Sequence, residues 1–211
     1  MFDPAPLYEA ILGGQAQEAR AAVEQALAAG AEPKDLVDRA MIPAMDEVGR
    51  RFENCEYFVP ELLISARAMK TALGILRPLL ARKGDKPAGR LAIGTVRGDL
   101  HDIGKGLVGA MLEGGGFEVV DLGVDVPAER FVEAVVANDV SILALSALLT
   151  TTMPAMKEVV EGLTRAGVRQ KVKVMVGGAP VTQQYAREVG ADGYAATAAS
   201  AVTLARKFLT S

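Results

Sequence analysis

The chain has 211 residues, enough for one large domain or two small ones that each bury a core. Its 23 Lys and Arg nearly cancel 26 Asp and Glu, giving a formal charge of −3, and no block of basic residues offers a footprint for nucleic acid. Half of the residues are apolar, yet charges break every run well short of the roughly 20 residues a membrane span needs. The start, Met1-Phe-Asp-Pro, has neither the basic nor the apolar region of a signal peptide. The lone Cys55 excludes an internal disulfide and a cysteine-built zinc site. The expectation is a cytoplasmic protein with no membrane and no nucleic-acid partner.

Residues 1–82 read as helices only. A short helix is expected from about Pro6 to Leu12. An Ala-rich helix follows from Gln15 to Ala29, with Ala19, Val23 and Leu27 on one face and a stop at Gly30. Pro33 opens the next helix at a favoured early position, with the stripe Val37, Met41, Met45, Val48 and Phe52. The last starts near Pro60 and carries Leu62, Ala66, Met69, Leu73, Leu76 and Leu80, with Pro78 expected to kink or loosen its end. These four helices make a bundle. The methionines on the stripes read as core filler.

Residues 83–89 form a polar linker rich in Gly and Pro. From residue 90 to 211 the pattern alternates. Strands are expected at Leu91–Val96, Glu118–Leu122, Ser141–Ser146, Val172–Val176 and Gly193–Ala195. Helices follow from about Asp102, Pro127, Pro154, Val181 and Ala199. Such alternation argues a parallel sheet covered on both faces, and five units match a flavodoxin-like, Rossmann-type domain. The fold class is α/β: a four-helix bundle followed by a five-stranded parallel sheet domain.

The only histidine, His101, sits in Asp99-Leu-His101-Asp-Ile-Gly104, just past the first strand. Ser146-Ala-Leu148 comes after 41 intervening residues and Gly177-Gly178 after 28 more. All follow strand ends, where open α/β sheets bind ligands, so topology alone brings them to one edge. A carboxylate two residues before an imidazole fixes its tautomer and strengthens it as a metal donor. One His and one Cys build no conventional transition-metal cage, but a macrocycle with its own four nitrogens needs a single axial donor. Plainer readings stand beside these. Gly98 and Gly104 serve either a tight turn or close approach to a bulky ligand. Asp102 serves equally as a helix N-cap. Ser146 closes a strand or leaves room for a ligand. Thr150, Thr151 and Thr152 suit helix capping before Pro154 as well as function. Cys55 has no catalytic partner and reads as structural.

Taken together, Asp99-x-His101-x-x-Gly104, Ser146-x-Leu148 and Gly177-Gly178 resemble a cobalamin-binding signature. So do Gly94-Thr-Val-x-Gly98 and Asp121-Leu-Gly-Val-Asp-Val-Pro127. In the first half, Gly49-Arg-Arg-Phe52 and Phe58-Val-Pro60-Glu61-Leu62 through Met69 resemble the helical cap that accompanies it. The whole chain is similar to the corrinoid proteins of methyltransferase systems serving methanol, methylamines and aryl methyl ethers, and to the cap and cobalamin-binding modules of methionine synthase. The resemblance implies cobalamin, as methylcobalamin or a related corrinoid, with His101 as axial ligand to cobalt. Asp99 would hydrogen-bond His101, and Thr152 would stand where relatives carry a Ser hydroxyl. Those three form the implied catalytic relay. Gly98, Leu100, Asp102, Ile103 and Gly104 are implied around the ring. Ser146, Leu148, Thr150, Gly177 and Gly178 are implied along the nucleotide tail, with Tyr194 and Ala198 near its end. Ala196-Thr197 departs from the Pro-Asp often found in relatives.

By the same resemblance the chain is a methyl carrier, taking a methyl group on Co(I) and passing it on as methyl-Co(III). It would act catalytically only with partners: a substrate-specific methyltransferase, an acceptor methyltransferase and a reductive activase. The alternatives are the cobalamin-binding subunit of an adenosylcobalamin mutase and a cobalamin-dependent sensor. Mutase domains rarely carry such a cap, and sensors usually add a DNA-binding segment that this sequence does not show.

Overall fold

The computed structural model describes residues 3–83, 88–138 and 140–210, so residues 84–87 of the expected linker lie outside the described part. The chain divides into two compact units, one of Met1–Pro87 with Glu113–Gly116 and one of Ala88–Leu112 with Phe117–Ser211.

The first unit is helical. Helix α1 is Ala5–Leu12, α2 Ala16–Ala28, α3 Pro33–Leu36, α4 Ile42–Glu53 and α5 Val59–Lys83. The end of α2 follows from Gly30, whose φ of +83° lets Ala31 N–H reach the Ala26 carbonyl and Gly30 N–H the Leu27 carbonyl. A single helix is expected from Pro33, but α3 and α4 are joined by a π turn at Val37–Met41, with Ile42 N–H bonded to the Val37 carbonyl. The cause is Pro43: it has no N–H for the Arg39 carbonyl, and its ring crowds that position, so the ladder widens just before it. Pro78 lies inside α5, which continues to Lys83. Leu7, Ile11, Val23, Leu36, Met41, Met45, Leu62, Met69 and Leu76 are buried, as a shared apolar stripe requires. No described helix is long and apolar enough to cross a membrane.

The second unit holds five parallel strands: β1 Arg90–Thr95, β2 Glu118–Asp121, β3 Ile142–Ser146, β4 Lys173–Gly177 and β5 Gly193–Tyr194. Helices α6 Ile103–Gly114, α7 Ala128–Asn138, α8 Pro154–Arg165, α9 Gln183–Glu188 and α10 Ala198–Leu209 follow them in turn. Helix α9 begins two residues after the expected Val181 because the Thr182 hydroxyl caps it, accepting from Tyr185 N–H at 3.1 Å. The strand order is β2-β1-β3-β4-β5. The chain therefore leaves β1 toward one side to make β2 and returns on the other as β3. The crevice between the β1 and β3 ends is the topological switch point.

On one face of the sheet Phe131, Leu143, Leu145, Met156, Leu163, Val174 and Val176 pack into one core. Gly94 in β1 makes room for the Phe131 ring: a Cβ there would lie 2.7 Å from it. We expect Phe131→Ala to cost about 3–5 kcal/mol and Gly94→Ala about 1–3 kcal/mol in chemical denaturation. The double variant should cost less than the sum, because the added methyl enters the space the ring vacates.

Candidate functional site

The site starts where β1 ends. Past Thr95 the chain turns through Gly98, at φ +82°, and delivers Asp99 into the interior with no exposed surface. Asp99 is satisfied by five donors. Oδ2 accepts from Leu148 N–H at 2.8 Å, Leu149 N–H at 3.3 Å and the Thr152 hydroxyl at 2.7 Å. Oδ1 accepts from His101 N–H at 3.1 Å and lies 2.7 Å from His101 Nδ1. Burial alone would push this carboxyl up. The bonds from Thr152, Leu148 and His101 outweigh it and hold Asp99 well below the usual carboxylate range.

An ionised carboxylate only accepts, so a neutral His101 ring must carry its proton on Nδ1. Nε2 is then the free lone pair, and no hydrogen bond among the described residues involves it. The ring is 51% exposed. Its backbone is fixed from below, where the buried Thr95 hydroxyl donates to the His101 carbonyl at 2.9 Å. Beside it Leu100 and Ile103 are 70% and 80% exposed, and Leu148 and Leu149 are exposed too. Large apolar side chains next to His101 in sequence and on the loop that binds Asp99 are thus left exposed, a surface suited to an apolar partner.

The strand ends meet as topology requires. Thr95 is the register partner of Ser146, and Ser146 of Gly177. Gly178, at φ +132°, passes so close to β3 that a Cβ would lie 1.9 Å from the Ala147 carbonyl oxygen, so no other residue fits there. The space beside Gly104 is open. Asp102 stands just before α6, its carbonyl bonded to Gly106 N–H at 2.7 Å. Thr150 is exposed, Tyr194 pairs with Val176 at the sheet's far edge, and Ala198 is buried at the start of α10. None of these three hydrogen-bonds the Asp99–His101 pair.

Thr152 is not a helix cap. The N-cap of α8 is Met153, without a side-chain bond, and the Thr152 hydroxyl lies 2.7 Å from Asp99 and 2.9 Å from the Leu149 carbonyl. Its single proton goes to the shorter, charged acceptor. Leu148 enters the cluster through its backbone, which residue type does not reveal. Sequence reasoning also passes over three residues. Thr95 supports the His101 backbone. Asp125 sits at φ +52° against the same turn. The buried Lys105 ammonium grips both carboxylate oxygens of Asp121, tying the start of α6 to the end of β2. All three lie within segments already notable for their motifs, but only the strand order shows what they touch.

A family model described as a B12 binding domain matches residues 89–203, and a second of the same description matches residues 5–77. The chain belongs to the B12-binding corrinoid protein family. A trimethylamine corrinoid protein of Methanosarcina acetivorans is 44% identical over 188 residues, covering 88% of this chain and 87% of that one. A dimethylamine corrinoid protein of Methanosarcina barkeri is 42% identical, with 96% and 95% covered. Among solved structures, the methanol:cobalamin methyltransferase complex of Methanosarcina barkeri contains a chain that matches with a TM-score of 0.87 at 34% identity, covering 97% of this chain and 78% of that one.

The residues of this corrinoid protein suit the group. Among the described residues no cluster of three or more His, Cys, Asp or Glu side chains is placed to hold a metal. A corrin carries its own ring nitrogens to the metal and would need only one further donor from the protein. The site offers one imidazole with a carboxylate behind it and Nε2 free.

We expect Thr152→Val, which keeps the shape and removes the hydroxyl, to lower stability by about 1–3 kcal/mol at neutral pH. Asp99 ionises more readily in the fold than in the unfolded chain. Its contribution is therefore full above about pH 4, the unfolded value, and is lost as pH falls through the depressed folded value. Denaturant titrations across the acid range should show the gap between the two proteins narrowing. A gap that ignores pH would mean the hydroxyl does not act through the carboxylate charge.

Proposed function

We propose that this chain is a methyl carrier that holds a corrinoid through His101 and shuttles methyl groups between separate enzymes. The observation that carries the reading is the geometry at His101: Nδ1 bonded to a buried carboxylate, Nε2 free, apolar side chains exposed on either side. The names of the methylamine corrinoid relatives support it, and so does the likeness to a chain of a methyltransferase complex. The proposed partners are a substrate-specific methyltransferase that delivers the methyl group, an acceptor methyltransferase that removes it, and a reductive activase.

When bound, the cobalt supplies a centre that takes up a methyl group as a nucleophile and releases it to another. The chain's own residues would present the donor nitrogen. Asp99 keeps the Nδ1 proton in place, so Nε2 remains the donor. Asp99 would hold the orientation and tautomer of the donor ring, and Thr152 with the amides of Leu148 and Leu149 would keep Asp99 ionised behind it. Gly98, Leu100, Asp102, Ile103 and Gly104 would sit around the ring, and Ser146, Leu148, Thr150, Gly177, Gly178, Tyr194 and Ala198 along the tail.

Reconstitution with hydroxocobalamin tests the reading. Wild type should retain roughly one corrinoid per chain through gel filtration, with an absorption spectrum shifted from free cofactor. His101→Ala should lose the shift. Identical spectra for the two proteins would overturn the ligand assignment. Retention of adenosylcobalamin in strong preference to methylcobalamin would argue against a methyl carrier.

A further inference from the structure

The turn that carries Asp99 is held by a residue with no assigned part in the site. Asp125 lies in the loop between β2 and α7. Its Oδ1 accepts from Gly98 N–H at 2.7 Å, and its own N–H donates to the Asp99 carbonyl at 2.9 Å. One residue thus binds the amide before Asp99 and the carbonyl of Asp99 itself. On either side, Gly123 accepts from Thr95 N–H and Val126 N–H donates to the Thr95 carbonyl, both at 3.0 Å.

The clasp is bought with an unusual backbone. Asp125 adopts φ +52°, and among the described residues Cys55 is the only other non-glycine in that region. L-residues avoid it, Asn and Asp least. Gly98 facing it is also left-handed, at +82°. Gly98 takes that conformation freely, whereas Asp125 holds it at a cost that its surroundings must offset. The side chain is exposed, so no core requirement selects it. The bonds it makes all serve the turn that presents Asp99 to His101.

We infer that Asp125 is a positioning residue for the proposed axial histidine: its clasp on Gly98 and Asp99 sets the reach of the Asp99 carboxylate to His101 Nδ1 and so fixes the imidazole tautomer. The inference rests on the reading of Asp99–His101 given above, and it deepens it. Three loops then share the task. The β3–α8 loop holds Oδ2, the β2–α7 loop holds the Asp99 backbone, and the β1–α6 loop carries the ring.

The tautomer is directly measurable because the chain has one histidine. Long-range 15N–1H correlation on the labelled full-length protein without corrinoid, at a pH where the ring is neutral, gives the ratio of Nδ1–H to Nε2–H. Wild type should be almost wholly Nδ1–H. Asp99→Asn calibrates the reading: Leu148, Leu149 and Thr152 claim the amide oxygen, its NH2 faces Nδ1, and the ratio should invert. Asp125→Gly keeps the left-handed backbone at no steric cost, removes the side-chain acceptor and leaves the backbone N–H in place, though it also frees the loop. Its ratio should fall roughly fivefold to tenfold, as loss of one hydrogen bond allows. Asp125→Asn keeps an acceptor and tolerates the same φ, so it should match wild type. A lower melting temperature alone would not move this ratio. Asp125→Gly at the wild-type ratio overturns the inference while leaving Asp99–His101 intact. Asp125→Asn falling as far as Asp125→Gly overturns it as well, since charge and not the clasp would then be at work. No inversion in Asp99→Asn overturns both the pair and the clasp.

Discussion

A carboxylate with no exposed surface is the constraint on which this site depends. A buried charge is stable only where donors surround it, and Asp99 collects them from its own loop and from the loop after β3. Those two loops lie side by side because β1 and β3 are neighbours at the switch point of the sheet. The position of the ring, its tautomer and the availability of Nε2 all follow from meeting the needs of that one charge. Two glycines shape the same edge. Gly98 makes the turn that delivers Asp99, and Gly178 lets the chain after β4 pass against Ala147.

The arrangement also accounts for how little metal-binding chemistry the chain carries. A histidine held in place and made more basic by a carboxylate behind it is a better metal donor than a free one. Under the proposed function, the buried, ionised Asp99 would do both for His101. A cofactor that brings its remaining ligands with it needs no more from the protein than this donor and an apolar surface.

Much of this was legible in the sequence. The switch from helical periodicity to β–α alternation near residue 83 gives the order of elements, and the five strand runs lie within a residue or two of those observed. Asp99, His101 and Thr152 are brought together as the motif and its resemblance imply. What stayed hidden was whatever depends on backbone groups or on neighbours across the sheet. The amides of Leu148 and Leu149 act regardless of their side chains. Asp125 matters because β2 lies beside β1, which spacing along the chain does not encode. The π turn before Pro43 is hidden because the apolar stripe from Val37 to Phe52 runs through it, while the effect of the proline falls on the Arg39 carbonyl one turn upstream. Thr152 was ambiguous for a similar reason: a threonine before Met-Pro fits a cap equally well until the position of Asp99 is known.

Whether His101 ligates cobalt is read most directly from the electron paramagnetic resonance spectrum of the protein loaded with unlabelled cob(II)alamin, the protein being made once with natural-abundance and once with 15N histidine. With a single histidine in the chain, any nitrogen coupling that responds to the label belongs to His101. Ligation by His101 requires the cobalt lines to carry a three-fold nitrogen splitting that becomes two-fold in the labelled protein. A three-fold splitting that survives labelling would mean that the cofactor's own base, and not His101, is the axial ligand.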